Sequence, residues 1–238
     1  MNKTQKTLNI LSLIFNIAIV ASTIYATSSF YSGFGAGNMK VHGTECFQFF
    51  TVDSNILAGI CSLIMLFFNI KRIKNVDTPV PKGFQLFKFA GTVAVTLTFI
   101  TVVAFLGPTM GYELMFEGPC LYMHLTTPIL AIITFCVFEA GDRLSAKQAL
   151  TGVIPTIIYG AVYFTMVIIV GVENGGWNDF YGFNSGFLEG RWYISIVAMP
   201  AFTYIFSLAL KALHAAVTNK LEKKQTKSSP TGCFKFSA

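Results

Sequence analysis

Two polar residues with complementary chemistry lie near the starts of apolar stretches in this chain of 238 residues. Thr51 lies near the start of the second stretch, and His124 lies near the start of the fourth. A threonine hydroxyl becomes an effective nucleophile when a base within hydrogen-bonding reach takes its proton, and histidine is the most common such base. These residue types therefore predict a catalytic pair in which Thr51 attacks and His124 accepts the proton.

Three supporting polar residues, Asp53, Ser54 and Asn55, follow Thr51 within about one helical turn. Thr51, Ser54 and Asn55 share one helix face, which we expect to look into the protein, whereas Asp53 points roughly 200° away from Thr51. Ser54 or Asn55 could donate to an oxyanion and Asp53 could orient a partner, but spacing fixes neither role. Hydrogen bonding between membrane helices is the simpler use of Ser54 and Asn55. A charge at membrane depth costs about 2.5–3.5 kcal/mol, so Asp53 should face protein or water.

Six long apolar segments must position these residues, and they occupy almost the whole chain. Each is close to the roughly 20 residues that a helix needs to cross the hydrocarbon core of a bilayer. Only 12% of the residues are charged, about half the fraction typical of a soluble domain. The sequence therefore predicts an all-α integral membrane protein, a bundle of six transmembrane helices. The predicted spans are 8–30, 47–70, 89–107, 121–138, 149–171 and 192–213.

The net charge of +6 does not indicate a nucleic-acid partner, because the basic residues follow the alternation of the spans. They concentrate at the amino terminus, in the loops after the second and fourth spans and in the tail, whereas the other loops hold only Lys40 and Arg191. The positive-inside rule then places both termini in the cytoplasm. We expect one membrane domain over 1–219 with a basic, disordered tail over 220–238, in the cell membrane or, in a eukaryote, an endomembrane.

The five cysteines show no metal-ligand spacing, and we expect neither a metal nor a cofactor. Cys61 and Cys136 lie deep in predicted helices, where packing is their simplest role. Cys46 and Cys120 each stand at the same end of a helix, shortly before Thr51 and His124. A disulfide between them is conceivable if the two helices touch, and two unpaired thiols are the alternative.

Two further features concern the shape of the bundle. The long loop over 172–191 is rich in glycine and aromatic residues, which suits either an interfacial aromatic belt or a lid over a cavity. We expect it to close over the bundle through Trp177, Phe180, Tyr181 and Phe183. Prolines inside the last three spans, at Pro128, Pro155 and Pro200, predict kinks because each removes a backbone hydrogen bond.

Thr51 and His124 should lie at similar depth near one membrane face, where the ester carbonyl of a bilayer lipid also lies. The segment Phe49-Phe50-Thr51-x-x-Ser54-Asn55, followed two spans later by His124 and then Pro128, resembles the androgen-induced-gene family of multispanning membrane proteins. Eukaryotic members are threonine hydrolases that cleave fatty-acid esters of hydroxy fatty acids, and the family has bacterial relatives. The resemblance implies Thr51 as the nucleophile, His124 as the essential histidine and a membrane lipid or lipid ester as the substrate.

A non-enzymatic role is the alternative reading of the same sequence. Asp53 inside a span and three proline-interrupted helices are also typical of a small-molecule transporter, although no inverted repeat is evident. A lipid-binding membrane scaffold would fit the composition equally well. A polar path lined by Asp53 would favour transport, and contact between Thr51 and His124 would favour hydrolysis.

Overall fold

The computed structural model describes residues 3–33, 41–74, 78–139, 141–185 and 188–228. Among these residues there is no β-strand, and six helices are long and apolar enough to cross a membrane. The fold is therefore the predicted all-α bundle with six candidate membrane spans. The helices are α1 (Lys3–Tyr31), α2 (Phe50–Lys74), α3 (Lys82–Met110), α4 (Pro119–Phe138), α5 (Ala146–Val170) and α6 (Trp192–Ser228).

Most helix boundaries differ from those predicted by a few residues, and three of the differences are informative. α2 begins at Phe50 rather than at residue 47, because Gly43–Gln48 forms a separate 3₁₀ helix and Phe49 between them is extended. α3 begins at Lys82, well before residue 89, and Lys88 interrupts the apolar pattern of its first turns. α6 continues to Ser228, past the predicted domain boundary at 219. Residues 229–238, including Cys233, lie outside the described residues.

The outer surface of the bundle is apolar along most of its length. Large aliphatic and aromatic side chains project outward from several helices, as the 66%, 70% and 64% exposed fractions of Ile169, Val197 and Ile24 illustrate. Monomeric soluble proteins rarely expose contiguous apolar surface on this scale. The surface suits contact with lipid acyl chains, in agreement with an integral membrane protein.

Helix α3 lies at the centre of the bundle. It packs against α2, α4, α5 and α6, while α1 packs along α2 and α4. The residues from Lys88 to Thr98 form an unbroken buried run. The threonine hydroxyls in this run donate to backbone carbonyls of the same helix, as Thr92 does to Lys88 and Thr96 to Thr92, so they enter the interior with their hydrogen bonds satisfied.

The interruptions predicted from the prolines take different forms. A wider π-helical turn, Tyr122–Thr126, precedes Pro128 in α4, and a 3₁₀ turn, Leu150–Val153, precedes Pro155 in α5. α6 remains helical through Pro200. Local changes of helix type thus accommodate the missing N–H group at two of the three positions.

The bundle has two chemically distinct ends. At one end, here called the basic end, Ser12 near the start of α1 bonds Glu139 after α4, and Arg143 bonds Glu222 near the end of α6. Both terminal helices therefore reach the basic end. At the opposite end, here called the threonine end, α2 begins with Thr51 in its first turn.

Candidate functional site at the threonine end

Thr51 lies in the first turn of α2 and is partly buried. Its backbone carbonyl accepts two side-chain hydrogen bonds, from Asn55 Nδ2 at 2.7 Å and from Ser54 Oγ at 3.1 Å. The predicted grouping of Thr51, Ser54 and Asn55 therefore exists, but it runs through the backbone of Thr51 rather than through its hydroxyl.

Asn55 is fully buried and joins α2 to α4. Besides the Thr51 carbonyl, its Nδ2 donates to the Met123 carbonyl at 3.1 Å, and Met123 directly precedes His124. An amide nitrogen carries two hydrogens, so these two bonds use both donors. In this arrangement Asn55 holds two helices together and offers no hydrogen to an oxyanion, while its Oδ1 accepts no hydrogen bond from the described residues.

Ser54 likewise serves helix packing. Its hydroxyl lies 2.9 Å from the Thr98 hydroxyl on α3 and also donates to the Thr51 carbonyl. Ser54 and Asn55 thus fasten the first turns of α2 to α3 and α4 respectively. These contacts correspond to the simpler role considered from the sequence, hydrogen bonding between helices.

His124 lies within the π-helical turn of α4 and is buried, with 6% of its surface exposed. In a regular α-helix the carbonyl of His124 would accept a bond from the N–H of residue 128, which a proline lacks. The chain widens there, and the N–H of Thr127 donates to the Tyr122 carbonyl instead. π-helical turns of this kind are frequent at functional sites.

The ring of His124 is held by a backbone carbonyl. Its Nδ1 lies 2.7 Å from the Met115 carbonyl oxygen, in the short helical turn Tyr112–Met115 between α3 and α4. A carbonyl can only accept, so Nδ1 carries the hydrogen and, in the neutral ring, Nε2 keeps its lone pair. This is the tautomer that a general base with Nε2 as the proton acceptor requires.

Thr51 and His124 belong to neighbouring segments that Asn55 connects. Among the described residues, however, no hydrogen bond joins the Thr51 hydroxyl to the His124 ring. The structure brings the two helix turns together at the same end of the bundle, with no hydrogen bond between these two side chains.

The loop after α5 folds back onto α2 and α5. The Tyr181 hydroxyl accepts a bond of 3.1 Å from the Phe50 N–H, and the Phe180 ring lies 4.6 Å from that of Phe49. Tyr163 on α5 contacts all four aromatic residues expected to close the loop. The loop therefore packs over this end of the bundle where α2 and α5 meet it, as expected. Its role as a lid in catalysis stays a prediction.

Asp179 organises the fold of this loop. One carboxylate oxygen accepts from the Tyr163 hydroxyl at 3.0 Å and the Phe183 N–H at 2.8 Å, and the other accepts from the Asn184 N–H at 2.8 Å. Sequence reasoning did not single out Asp179. A lone acidic residue within a run of aromatic and glycine residues was the available signal, since aspartate commonly accepts from nearby backbone N–H groups in turns.

Asp53 lies on a different face of α2 from Thr51, as its helical position predicted. It lines a cavity of about 640 Å³ whose walls come from α2, α3, α5 and Trp177 of the loop. Thr51 and His124 do not line this cavity, nor a second one of about 490 Å³ between α1 and α2. Asp53 and Thr51 therefore lie on different surfaces of α2.

The cysteine question left open by the sequence has a structural answer. Cys46 and Cys120 are buried in one apolar cluster that also holds Val52 and Met123, yet no disulfide joins them. Burial raises the pKa of the Cys46 thiol. Among the described residues, no group of three or more His, Cys, Asp or Glu side chains is placed to hold a metal ion.

A buried polar network near the basic end was not predicted. Lys88 Nζ lies 2.8 Å from Glu139 Oε1 and 2.6 Å from Asn16 Oδ1, and Ser12 and Asn16 also donate to the Glu139 carboxylate. Lys88 directly precedes the predicted third span, so in the sequence it counts only as one of the basic residues of the loop after the second span. The four-residue spacing of Ser12 and Asn16 in an apolar helix was the signal for an inward polar stripe.

Comparison with known proteins identifies no relative: no family model matches the chain, and neither a curated protein nor a solved structure matches it significantly.

Proposed function

We propose that this protein is a membrane-embedded hydrolase of lipid esters, with Thr51 as nucleophile and His124 as general base. The observation that carries the proposal is the buried His124 ring, oriented by the Met115 carbonyl so that Nε2 keeps its lone pair. A base held by a third group is the recurring arrangement of enzymes with an activated hydroxyl nucleophile. The resemblance to the androgen-induced-gene family supports the same two residues.

The proposed reaction has two steps. In the first, His124 Nε2 takes the hydroxyl proton of Thr51, Oγ1 attacks the ester carbonyl, and the departing alcohol receives that proton from the imidazolium. In the second, His124 Nε2 takes a proton from a water molecule, whose oxygen attacks the carbonyl of the acyl-threonine. The fatty acid is released as the imidazolium returns this proton to Thr51 Oγ1. Thr51 must reach Nε2 when substrate binds, and catalytic hydrogen bonds commonly tighten only in the substrate complex.

The position of the site supports the substrate class. The candidate pair lies in the first turns of two candidate membrane spans, a depth that we expect to match the ester groups of bilayer lipids, and the apolar exterior of the bundle suits contact with their chains. We propose a fatty-acid ester of a hydroxy fatty acid or a similar lipid ester, with no metal or cofactor required.

The decisive experiment measures release of hydroxy fatty acid from such an ester by purified protein in non-ionic detergent. Thr51→Ala and His124→Ala should each lower kcat by about 10³-fold or more, because nucleophile and base act as one unit. Thr51→Ser should keep part of the activity. Thr109→Ala and His42→Ala, at exposed positions, are the matched controls and should hydrolyse at the wild-type rate.

Labelling with a fluorophosphonate probe provides a second readout that does not depend on the choice of ester. The probe should modify Thr51 in the wild type and fail to modify the Thr51→Ala variant. Equal hydrolysis by wild type and both alanine variants, or a wild type inert toward every lipid ester and the probe, would refute the proposal. Inertness would favour the non-enzymatic alternatives, a transporter or a lipid-binding scaffold.

We further propose that the basic end faces the cytoplasm, with both termini there. The support is the distribution of charge, since lysine and arginine collect at the basic end and acidic residues at the threonine end. In intact cells, a membrane-impermeant maleimide should label Glu117→Cys and leave Lys147→Cys unlabelled. The buried native Cys46, whose pKa is raised by burial, should react little, and Cys233→Ser removes the tail thiol from the background. The reverse labelling pattern would invert the topology.

A further inference from the structure

The cavity beside Asp53 combines a carboxylate with a mostly apolar lining. Within the described part of the chain, no hydrogen bond or ion pair engages the Asp53 carboxylate, and the cavity lining contains no basic residue. A carboxylate at the start of a membrane helix gains some stabilisation from the helix dipole but is otherwise costly without a partner. A positively charged ligand would supply the missing partner.

Aromatic rings surround the same cavity. Phe47, Phe50, Tyr159 and Trp177 all line it, and the Phe50 and Tyr159 ring centroids lie 5.1 Å apart. Tyr159 is close enough to Asp53 to interact with it electrostatically, and its hydroxyl donates to the Gln48 carbonyl. Aromatic faces beside a carboxylate are the recurring recognition elements for organic cations, above all quaternary ammonium groups.

Most of the remaining lining of the cavity is aliphatic, and it reaches the outer surface of the bundle. Leu57, Ile154, Ile158 and Val162 line it, and Ile158 on α5 is 62% exposed. The volume of about 640 Å³ lies within the range of about 300–1,000 Å³ usual for small-molecule sites. An alkyl chain can therefore lie along α5 while a head group reaches Asp53.

We propose that this cavity is a binding site for a single-chain amphiphile with a cationic nitrogen head group. The ammonium group pairs with Asp53 among the aromatic rings, and the chain lies against α2 and α5. The site does not depend on the proposed hydrolysis, because neither Thr51 nor His124 lines it.

Trp177 provides a direct readout of occupancy. The chain has two tryptophans, so Trp192→Phe leaves Trp177 as the single emitter in the cavity wall. In dodecyl maltoside, brominated dodecyltrimethylammonium should quench Trp177 with a saturable dependence on probe concentration. Brominated dodecanoate and brominated dodecanol share the chain and lack the cation. Each should bind at least about tenfold more weakly than the cationic probe.

Variants separate charge recognition from simple filling of an apolar groove. Asp53→Asn should weaken binding of the cationic probe about tenfold, Phe50→Leu about threefold, and Asp53→Glu should retain most of it. Glu113→Gln, which removes an exposed carboxylate elsewhere, should change nothing. Equal quenching by all three probes, or unchanged affinity in Asp53→Asn, would overturn the proposal. If Asp53→Asn does not fold, Ile158→Phe decides: it should narrow the site and weaken binding, and wild-type affinity would overturn the proposal.

Discussion

Tyr181 illustrates how one side chain connects the loop after α5 to the site. Its hydroxyl accepts from the first N–H of α2, a group that no earlier carbonyl of the helix can satisfy. Burial raises the pKa of Tyr181 to about 12, so the phenol stays protonated over the physiological range. Thr51 is the residue after Phe50, so its position depends on a contact with Tyr181, which is far away in the sequence.

Replacing Tyr181 by phenylalanine should detach the loop from α2 and lower stability by about 1–3 kcal/mol, because the Phe50 N–H loses its acceptor. The wild type should also lose stability more steeply than the variant as pH rises from about 10 to about 12. A phenol whose folded pKa lies above its unfolded value of about 10 contributes stability that is complete below the unfolded pKa and vanishes above the folded one.

Thermal unfolding of purified protein at pH values from about 9 to about 12 measures both effects. Tyr193→Phe, which removes the hydroxyl of an exposed tyrosine, is the control and should follow the wild type at every pH. Parallel pH curves for wild type and Tyr181→Phe would show that this hydroxyl does not hold the loop.

At this scale, the sequence predicted residue types better than it predicted partners. It predicted the shared helix face of Thr51, Ser54 and Asn55, since helical spacing fixes which residues lie together, and the catalytic roles of Thr51 and His124 stay a prediction. The Met115 carbonyl orients His124, and the Met123 carbonyl accepts a hydrogen bond from Asn55. Nothing in the sequence indicates that these two carbonyls are the partners. Every residue carries such an acceptor, and only the fold decides which one a side chain reaches.

Among the helices, close packing depends on glycines at particular positions. A Cβ atom on Gly152, where α5 meets α3 and α6, would lie 2.6 Å from Ser207 Oγ and 2.8 Å from Val93 Cγ2. Both neighbours are fully buried, and the Ser207 hydroxyl already donates to the Ala149 carbonyl. The three helices therefore have no room to adjust cheaply.

Gly152→Ala should consequently destabilise the protein by about 1–3 kcal/mol, the usual cost of overpacking. Gly160→Ala on the same helix is the matched control, because nothing lies within 4 Å of a Cβ there, and it should be neutral or stabilising by up to about 1 kcal/mol. Melting temperatures of the two variants in one detergent provide the measurement. Equal melting temperatures would mean that α5 can move away from α3 and α6 at little cost.

The number of helices was predictable and their exact limits were not. Apolar length alone indicates a membrane span, and this signal gave all six. The start of α3 was placed too late because the charge of Lys88 marks a boundary of the apolar segment in the sequence. In the structure, Lys88 lies inside the bundle and pairs with Glu139. The start of α2 depended on the extended backbone of Phe49, which composition does not encode.

On the scale of the whole molecule, a buried polar network joins four helices near the basic end. Ser12 and Asn16 of α1, Lys88 of α3 and Glu139 after α4 share one set of hydrogen bonds, and Asn69 of α2 bonds Ser12 at 3.0 Å. Lys88 and Glu139 are only 4% and 7% exposed. We expect such a pair to favour one arrangement of the helices, because any other arrangement leaves a buried charge unpaired.

Breaking the buried pair from one side should therefore cost more than removing it completely. Lys88→Met and Glu139→Gln should each lower the free energy of unfolding by about 3–5 kcal/mol, because the remaining partner is left without its counter-charge. The double variant Lys88→Met/Glu139→Gln should lose clearly less than the sum, since it carries neither charge. A double-mutant cycle on thermal or denaturant unfolding in detergent measures the difference.

The exposed pair of Arg143 and Glu222 at the same end is the matched control for this cycle. Its atoms are also 2.8 Å apart, but the side chains are 60% and 49% exposed, so solvent screens the attraction. The corresponding substitutions Arg143→Met and Glu222→Gln should each change stability by at most about 1 kcal/mol. A buried cycle as additive as the exposed one would mean that water reaches Lys88 and Glu139, and then the polar network could not be what fixes the arrangement of α1, α2, α3 and α4.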